Sequence, residues 1–492
     1  MNILASLTNK EGSEKFLQRI RNHVNAVYAS AGTRKYLEEN GIVCSGIDSF
    51  TGFTELLGGR VKTLHPAIFG GILARNTESD MKQISEHGFT AFDMVMCNLY
   101  DFVSHKNGTL EEKVENIDIG GVSLIRAAAK NFQRVTVISD PADYDLVAES
   151  IEKHGHVEEG IRKKLALKAF SLTSGYDSII EHSLAAEFGE NHGEGIIMPS
   201  EGKKLRYGEN PDQEGIIYEI EQYGKLDVFH GKEMSYNNYM DASSAIETAL
   251  EFDEPFAVVI KHNTPCGAAI GKDHSDALFK AIEGDRESAY GSVICINGTV
   301  SESVVESMKG IFVEMLIGKE FTTEAREMLE KKKNIRLATY SGKGPSSMIR
   351  TVFNGFLEQN VVPAMPEKIG DVVNRNDQLL HDMIFAWKIV AHCRSNAIVL
   401  AKNGATVGIG AGQTSRVQAA RIAVERAGER AEGSVMASDA YLPFADNVDV
   451  AAASGITGII EPGGSIRDQD VIDACTKHGI SLYFTGKRVF LH

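Results

Sequence analysis

The stretch Val24-Asn25-Ala26-Val27-Tyr28-Ala29-Ser30-Ala31-Gly32-Thr33-Arg34-Lys35-Tyr36-Leu37-Glu38-Glu39 decides the fold of the first half of the chain. An apolar run, Val24–Ala29, passes through a small polar turn into a helix-like segment, Arg34–Glu39. Asn2–Leu7 opens the chain in the same way, and this alternation is the pattern of a parallel α/β unit. Met94–Asn98 and Val135–Ser139 supply the next strands, and a helical stretch over 143–181 closes the domain. The Gly-rich segment Gly189–Gly202 reads as a linker, which places the boundary near Pro199 and predicts domains over 1–198 and 199–492. Beyond it Ala257–Ile260, Val293–Ile296, Ala397–Ala401 and Gly458–Ile460 alternate with helical segments, so the larger second region is also α/β, with room for an internal duplication.

Composition sets the outer limits. The 492 residues are 43% hydrophobic and 24% charged, as in soluble globular proteins, and at roughly 100–200 residues per domain they suit two to four domains. A net charge of −16 argues against a nucleic-acid coat, which needs a basic face. No apolar run nears the roughly 18 residues that span a bilayer, and Leu7 runs straight into Thr-Asn-Lys-Glu, so a cytoplasmic protein without membrane association is expected. The six cysteines stand singly, which points to neither a disulfide framework nor a structural zinc site.

Ser30-Ala31-Gly32-Thr33, between a strand and a helix, has two readings: a phosphate cradle built from free N–H groups and a helix's positive end, or an ordinary turn capped by Thr33. Arg60-Val61-Lys62-Thr63-Leu64-His65-Pro66 sets two cations and a hydroxyl on a Gly-flanked loop, where function is more common than packing. Asn116-Ile117-Asp118-Ile119-Gly120-Gly121 precedes a helix on which Arg126 and Lys130 share a face; a solvated basic stripe would look the same.

Taken together, L-G-G-R-V-K-T-L-H-P, C-N-L-Y (Cys97–Tyr100) and I-D-I-G-G-V-S-L-I-R-A-A-A-K-N resemble the IMP cyclohydrolase half of the bifunctional purine-biosynthesis family that joins AICAR transformylase to IMP cyclohydrolase. The resemblance implies a methylglyoxal-synthase-like parallel sheet and a ring closure that uses no catalytic metal. It also implies that Lys130 and Asp118 handle protons, that Tyr100 and Lys62 stabilise the developing oxyanion, and that Thr8, Lys10, Ser30, Gly32, Thr33 and Arg60 hold the 5′-phosphate. Thr63, Cys97 and Asn98 complete the expected substrate contacts. The family usually carries Gly-Gly before the Thr of the phosphate loop, here Thr33, and Ala31 replaces the first.

In the second half, Lys261-His262-Asn263-Thr264-Pro265-Cys266-Gly267 follows a strand, so both basic side chains emerge at a strand end, where open α/β sheets place their sites. A histidine can take a proton from a weak amine nucleophile, and an adjacent ammonium stabilises negative charge. A capping His with a solvated Lys is the bland alternative. Leu205–Pro211, Ser235–Asn238, K-H-N-T-P-C-G, Ser395–Ala397, Gly408–Arg416, Ser438–Ala440 and Arg488–Phe490 resemble the transformylase half of the same family. By that resemblance His262 accepts the proton and Lys261 stabilises the transition state. Arg206, Tyr207, Asn238, Gly291, Glu314, Asn396, Arg416 and Arg488 contact AICAR, and Val417, Tyr441, Asp446, Ser465 and Ile466 contact the co-substrate 10-formyltetrahydrofolate. The product FAICAR is then closed to IMP, and a homodimer with a cytidine-deaminase-like transformylase fold is implied.

Gly408-Ile409-Gly410 begins like a dinucleotide fingerprint, but Gln413 takes the place of the third glycine. Pro265-Cys266-Gly267-Ala268 resembles the zinc deaminases without their second cysteine or His-x-Glu, so Cys266 reads as a buried small residue. The family departures are Ser292, the run Ile317–Phe321, where Ile-Ala-Pro is usual, and the penultimate Leu491; of these the middle one is expected beside Glu314. A non-catalytic nucleotide-binding relative would have lost Lys62, Asp118, Lys130, Lys261 and His262; all five are present. A chain with one active half is the remaining alternative.

Overall fold

The computed structural model describes residues 1–52, 61, 63–105, 108–190, 202–220 and 223–492; Arg60, Lys62 and Pro199 lie outside them. The chain forms two compact units, Met1–Glu201 and Gly202–His492. No helix among the described residues is long and apolar enough to cross a membrane.

The first unit is built on a fully parallel sheet ordered Ser45–Gly46, Ala26–Ala29, Asn2–Ser6, Met94–Cys97, Thr136–Ile138. Four of these strands are the short apolar runs of the sequence, trimmed by a residue or two, while the edge pair Ser45–Gly46 carried no apolar signal; Ile3, Leu4, Met94, Met96 and Val137 pack the core between the helical layers. Ser6 pairs with Cys97 and Ala5 with Ala29, so three strands end side by side and release the loops at Thr8, Ser30 and Asn98 along one rim. The predicted closing helix is two, Tyr144–His154 and Glu159–Phe188. Gly155, at φ 76°, takes the left-handed cap that ends the first of them.

The second unit carries a twelve-stranded mixed sheet that repeats itself about its middle. Two hairpins, Phe256–Lys261/Thr264–Ile270 and Ile398–Lys402/Ala405–Gly410, meet antiparallel at the centre. Outward from the first run Ser292–Ile296, Val313–Gly318 and Arg336–Ser341, mutually parallel, then Lys225–His230 as an antiparallel edge. Outward from the second run Val435–Ser438, Gly458–Glu461 and Ser481–Phe484 in the same sense, then Gly370–Val373 as its antiparallel edge.

The helices repeat too, with Tyr236–Ala249 and Leu380–Val390 before the hairpins and His274–Gly284 and Arg416–Ala427 after them. Each hairpin lies so close to its following helix that a Cβ on Gly267 would come within 2.0 Å of Ala281 O, and one on Gly408 within 2.1 Å of Ala423 O. The duplication for which the sequence left room is therefore present down to individual contacts. The core between the repeats includes Trp387, fully buried, with its Nε1 donating to Ala364 O at 3.0 Å.

Candidate functional site

Along the rim of the first unit lies a cavity of about 550 Å³. Thr8, Lys10, Ser30, Gly32 and Thr33 line one side, and Thr63, Cys97, Asn98, Tyr100 and Asp118 the other. Ser30 is the cap position of the helix Ala31–Glu39, so the N–H groups of its first turn, which have no partner within the helix, open into this space. Ala31 occupies the first helical position, where its methyl group needs no special backbone.

Thr33 is not the cap. Its buried hydroxyl accepts from Leu7 N at 2.8 Å and meets Ser30 Oγ at 3.1 Å, so it ties the helix start to the first strand instead of offering itself to a ligand. Asn98 is likewise occupied, accepting from Thr8 N at 2.7 Å and Asn9 N at 3.1 Å, and it shapes the loop in which Lys10 Nζ reaches Thr8 O at 3.0 Å. Burial pushes the Cys97 thiol well above its usual range, which makes it a packing residue.

Asp118 is 9% exposed and sits just before the helix Gly120–Lys130. Its Oδ1 accepts from Gly121 N at 2.6 Å, and its own N–H donates to Tyr176 Oη at 2.8 Å. A charge-assisted bond of this kind is worth about 1.5–3 kcal/mol and fixes the carboxylate toward the cavity. Tyr100 is 40% exposed at the cavity wall. Lys130 does not join them. It ends the same helix, twelve residues beyond Asp118, is exposed, and is not among the residues lining the cavity. Arg126, on the same face, is also exposed and lies over the Phe170 ring at 5.7 Å.

In the second unit, Lys261 ends its strand, and His262 (φ 51°) and Asn263 (φ 60°) form a left-handed turn into the next. Lys261 Nζ donates to Tyr290 O at 2.7 Å and Gly291 O at 3.0 Å. Gly291 takes φ +71°, which favours glycine, and a Cβ there would stand 3.2 Å from that ammonium. Asp241, from the preceding helix, accepts from Asn263 N at 2.6 Å. Burial raises the Asp241 carboxyl above its ordinary range, while Asn263 N–H and the nearby His262 and Lys261 pull it back. With its amide set to satisfy both ends, Asn263 accepts from Arg394 Nη2 at 2.6 Å and donates to Met240 O at 3.0 Å. The turn of the first repeat is thereby tied to the segment Arg394–Asn396 of the second.

Arg416 is buried and donates to Ser438 Oγ at 2.9 Å, to Asn396 Oδ1 at 2.6 Å and to Asp439. Phe490 gathers two guanidiniums, Arg416 at 5.9 Å and Arg488 at 4.8 Å. Arg206 lies over Tyr207 at 5.5 Å. Asn238 is spent on structure: it completes a capping box with Ser235 and donates to Glu314 Oε1 at 2.9 Å. Glu314 is also held by Arg336 Nη1 at 3.2 Å, a buried arginine that sequence reasoning missed. The Ile317–Phe321 departure lies at the other end of the strand Val313–Gly318, with Ile317 roughly 10 Å along it from Glu314, so it does not disturb that carboxylate.

Val417 lies in the first turn of the helix Arg416–Ala427, Tyr441 and Asp446 lie beyond the strand Val435–Ser438, and Ser465 and Ile466 lie beyond Gly458–Glu461. Glu461 joins these last two loops, its Oε2 accepting from Leu442 N at 2.6 Å. Two buried oxygens beside this cluster, Asp439 Oδ2 and Glu461 Oε1, have no hydrogen-bond partner. Burial pushes the Glu461 carboxyl from 4.5 up to about 8. The folded chain therefore holds this proton more tightly than the unfolded one, and the stability it confers is lost as pH rises from about 4.5 through 8. Glu461→Gln, which keeps the acceptor for Leu442, is expected to flatten the fall of the thermal midpoint over that window. An unchanged slope would show that Glu461 is ionised in the fold.

Cys266 is buried, donates to Val259 O at 3.4 Å, and has its thiol pushed up to about 12. No group of three or more metal-ligating side chains occurs among the described residues.

Titratable and cationic side chains gather where strands end in each of the two units, the arrangement of an α/β enzyme. A family model described as AICARFT/IMPCHase bienzyme matches residues 128–426, and one described as MGS-like domain matches 12–123. The bifunctional purine biosynthesis protein PurH of Bacillus subtilis (strain 168) is 42% identical, with 99% of each chain covered. PurH of Aquifex aeolicus (strain VF5) is 42% identical with 100% of each covered. A solved structure titled "Crystal structure of ForH" shares 34% identity over 37% of this chain and 98% of its own, with a TM-score of 0.33. The chain belongs to the AICARFT/IMPCHase bienzyme family and is a bifunctional enzyme of purine biosynthesis, with formyltransferase and IMP cyclohydrolase activities.

Proposed function

We propose that the chain carries out its two reactions at the two clusters described, formyl transfer in the second unit and ring closure in the first. The observation that supports this best is the convergence of Ser30, Gly32, Tyr100 and Asp118 on one cavity, with a Lys-His turn held in a different domain. In the transfer, the 5-amino nitrogen of AICAR attacks the formyl carbon of 10-formyltetrahydrofolate. His262 takes the amine proton, and N10 of the folate gains a proton and leaves as the carbon–nitrogen bond to it breaks. Two of the three Lys261 N–H donors hold carbonyls, and the third is left for the oxyanion that forms in between. Arg206, Arg416 and Arg488 supply cations for the nucleotide; Val417, Tyr441, Asp446, Ser465 and Ile466 take the folate.

In the closure, the carboxamide nitrogen of FAICAR attacks the formyl carbon, the oxyanion is protonated, and water leaves to give IMP. The helix start at Ser30–Gly32, with Lys10, receives the 5′-phosphate. Asp118 orients the amide and accepts its proton, and Tyr100 stands by the oxyanion; Arg60 and Lys62 join on the strength of the family resemblance. Proton handling is assigned to Asp118 without Lys130, because that lysine does not line the cavity. A cytoplasmic homodimer completes the reading.

The purified chain, mixed with AICAR and 10-formyltetrahydrofolate, is expected to make IMP at a rate that exhaustive chelation leaves unchanged. Formylated intermediate without IMP would leave only the transfer half standing. Loss of either rate on chelation would contradict the metal-free reading, in which Cys266 is a packing residue.

A further inference from the structure

The internal repeat provides a copy of the Lys-His turn to which no chemistry is assigned. Lys402 ends the strand Ile398–Lys402 as Lys261 ends Phe256–Lys261. Asn403 (φ 55°) and Gly404 (φ 70°) form the left-handed turn that follows, as His262 and Asn263 do in the first repeat. Lys402 Nζ donates to a backbone carbonyl, Glu432 O at 2.7 Å, beside Gly433. A Cβ on Gly433 would stand 3.3 Å from that ammonium, against 3.2 Å for Gly291 and Lys261. Asp382 accepts from Asn403 N and Gly404 N, both at 2.7 Å. Lys261 stands 20 positions after Asp241, and Lys402 stands 20 after Asp382.

The correspondence separates scaffold from chemistry. A lysine seated on a carbonyl beside a glycine, and an aspartate under the turn's N–H groups, belong to the repeated scaffold, since both occur where no reaction is assigned. Only the first repeat places a histidine on the turn. A non-glycine pair at positive φ is uncommon and persists where surrounding contacts over-determine it. The first repeat has such a pair, and the bond from Asn263 N to Asp241 is the contact made by the turn's own backbone.

We propose that Asp241 is a positioning residue for formyl transfer: by accepting the Asn263 N–H it holds the left-handed His262–Asn263 turn, and with it the imidazole, in the reactive place. The proposal rests on His262 being the proton acceptor of that reaction. The action lies in the accepted hydrogen bond and not in the negative charge, because Asp382 likewise accepts the second N–H of its turn, Gly404 N, where there is no group to polarise.

The test uses the full chain and five variants, His262→Ala, Asp241→Ala, Asp241→Asn, Asp241→Glu and Asp382→Ala. Formyl transfer is measured as kcat and KM, with closure of supplied formylated nucleotide as the internal control. Asp241→Ala is expected to lower kcat for transfer by roughly 10²-fold, the scale of a misplaced catalytic group, with KM for both substrates and the closure rate little changed. Asp382→Ala should lose a similar amount of thermal stability and keep its kcat. Asp241→Asn, whose amide oxygen accepts the same bond, should recover most of kcat, whereas Asp241→Glu, charged but one methylene too long, should not. If Asp241→Ala does not fold, the Asn and Glu variants decide the matter. Wild-type kcat in Asp241→Ala, an equal fall in Asp382→Ala, or an Asn variant no better than the Glu one would each overturn the proposal. Transfer surviving in His262→Ala would instead overturn the site reading on which it depends.

Discussion

Replacing His262 by alanine is expected to lower formyl transfer by about 10²- to 10⁴-fold, the range over which a positioned general base acts, while closure of supplied FAICAR continues. The side chain is exposed on a turn between two strands, so no core packing is lost with it. The backbone at φ 51° is mildly unfavourable for any residue with a Cβ. Asparagine tolerates that region better, and the second repeat carries Asn403 at the matching place at φ 55°. His262→Asn is therefore the sharper variant: it places at 262 the residue that the second repeat already carries at the matching position, and it removes the base. Steady-state transfer, read beside closure on the same preparation, checks the expectation. A parallel loss of both activities in a folded protein would contradict two independent sites, and full transfer in His262→Asn would move the base elsewhere.

Most of the fold was legible because its strands are short apolar runs followed by small polar turns. Asn2–Ser6, Met94–Cys97 and Phe256–Lys261 fell within a residue of where the pattern put them, since the middle of a strand covered on both faces is apolar. The twelve-strand order was not legible, because the repeat is carried by isolated residues. Asp241 and Asp382, Lys261 and Lys402, and Gly291 and Gly433 correspond through backbone contacts, and the residues between them differ freely. The equal spacing of the two Asp–Lys pairs was the available signal. Within the sites, residue types pointed to anion binding and proton transfer, but type does not say which atoms are already engaged. Thr33, Asn98 and Asn238 read as ligand contacts and turn out to have their polar groups committed to the scaffold. Arg336 and Arg394 gave no motif, and their importance lies in the carboxylate and amide they hold.

The cyclohydrolase site is where sequence and geometry part most clearly, and Asp118→Asn and Lys130→Ala together resolve the difference. Asparagine at 118 keeps an oxygen to accept the Gly121 N–H, so the start of the helix Gly120–Lys130 should hold and the cavity keep its shape. What it loses is the negative charge and basicity that draw the proton from the attacking carboxamide. Closure should fall by about 10²- to 10⁴-fold, and FAICAR should accumulate when AICAR and the formyl donor are supplied, because transfer proceeds at its separate site. Lys130 is exposed at the far end of the same helix, about 15 Å along the axis from its first residue, Gly120, at 1.5 Å per residue, so its removal should cost little beyond the few tenths of a kcal/mol of a surface charge. The decisive quantity is the ratio of the two closure rates measured on supplied FAICAR. A large ratio in favour of Lys130→Ala places the chemistry at the carboxylate end of the helix. Equal and deep losses in two folded variants would return Lys130 to the mechanism and require the helix to be displaced when the nucleotide binds.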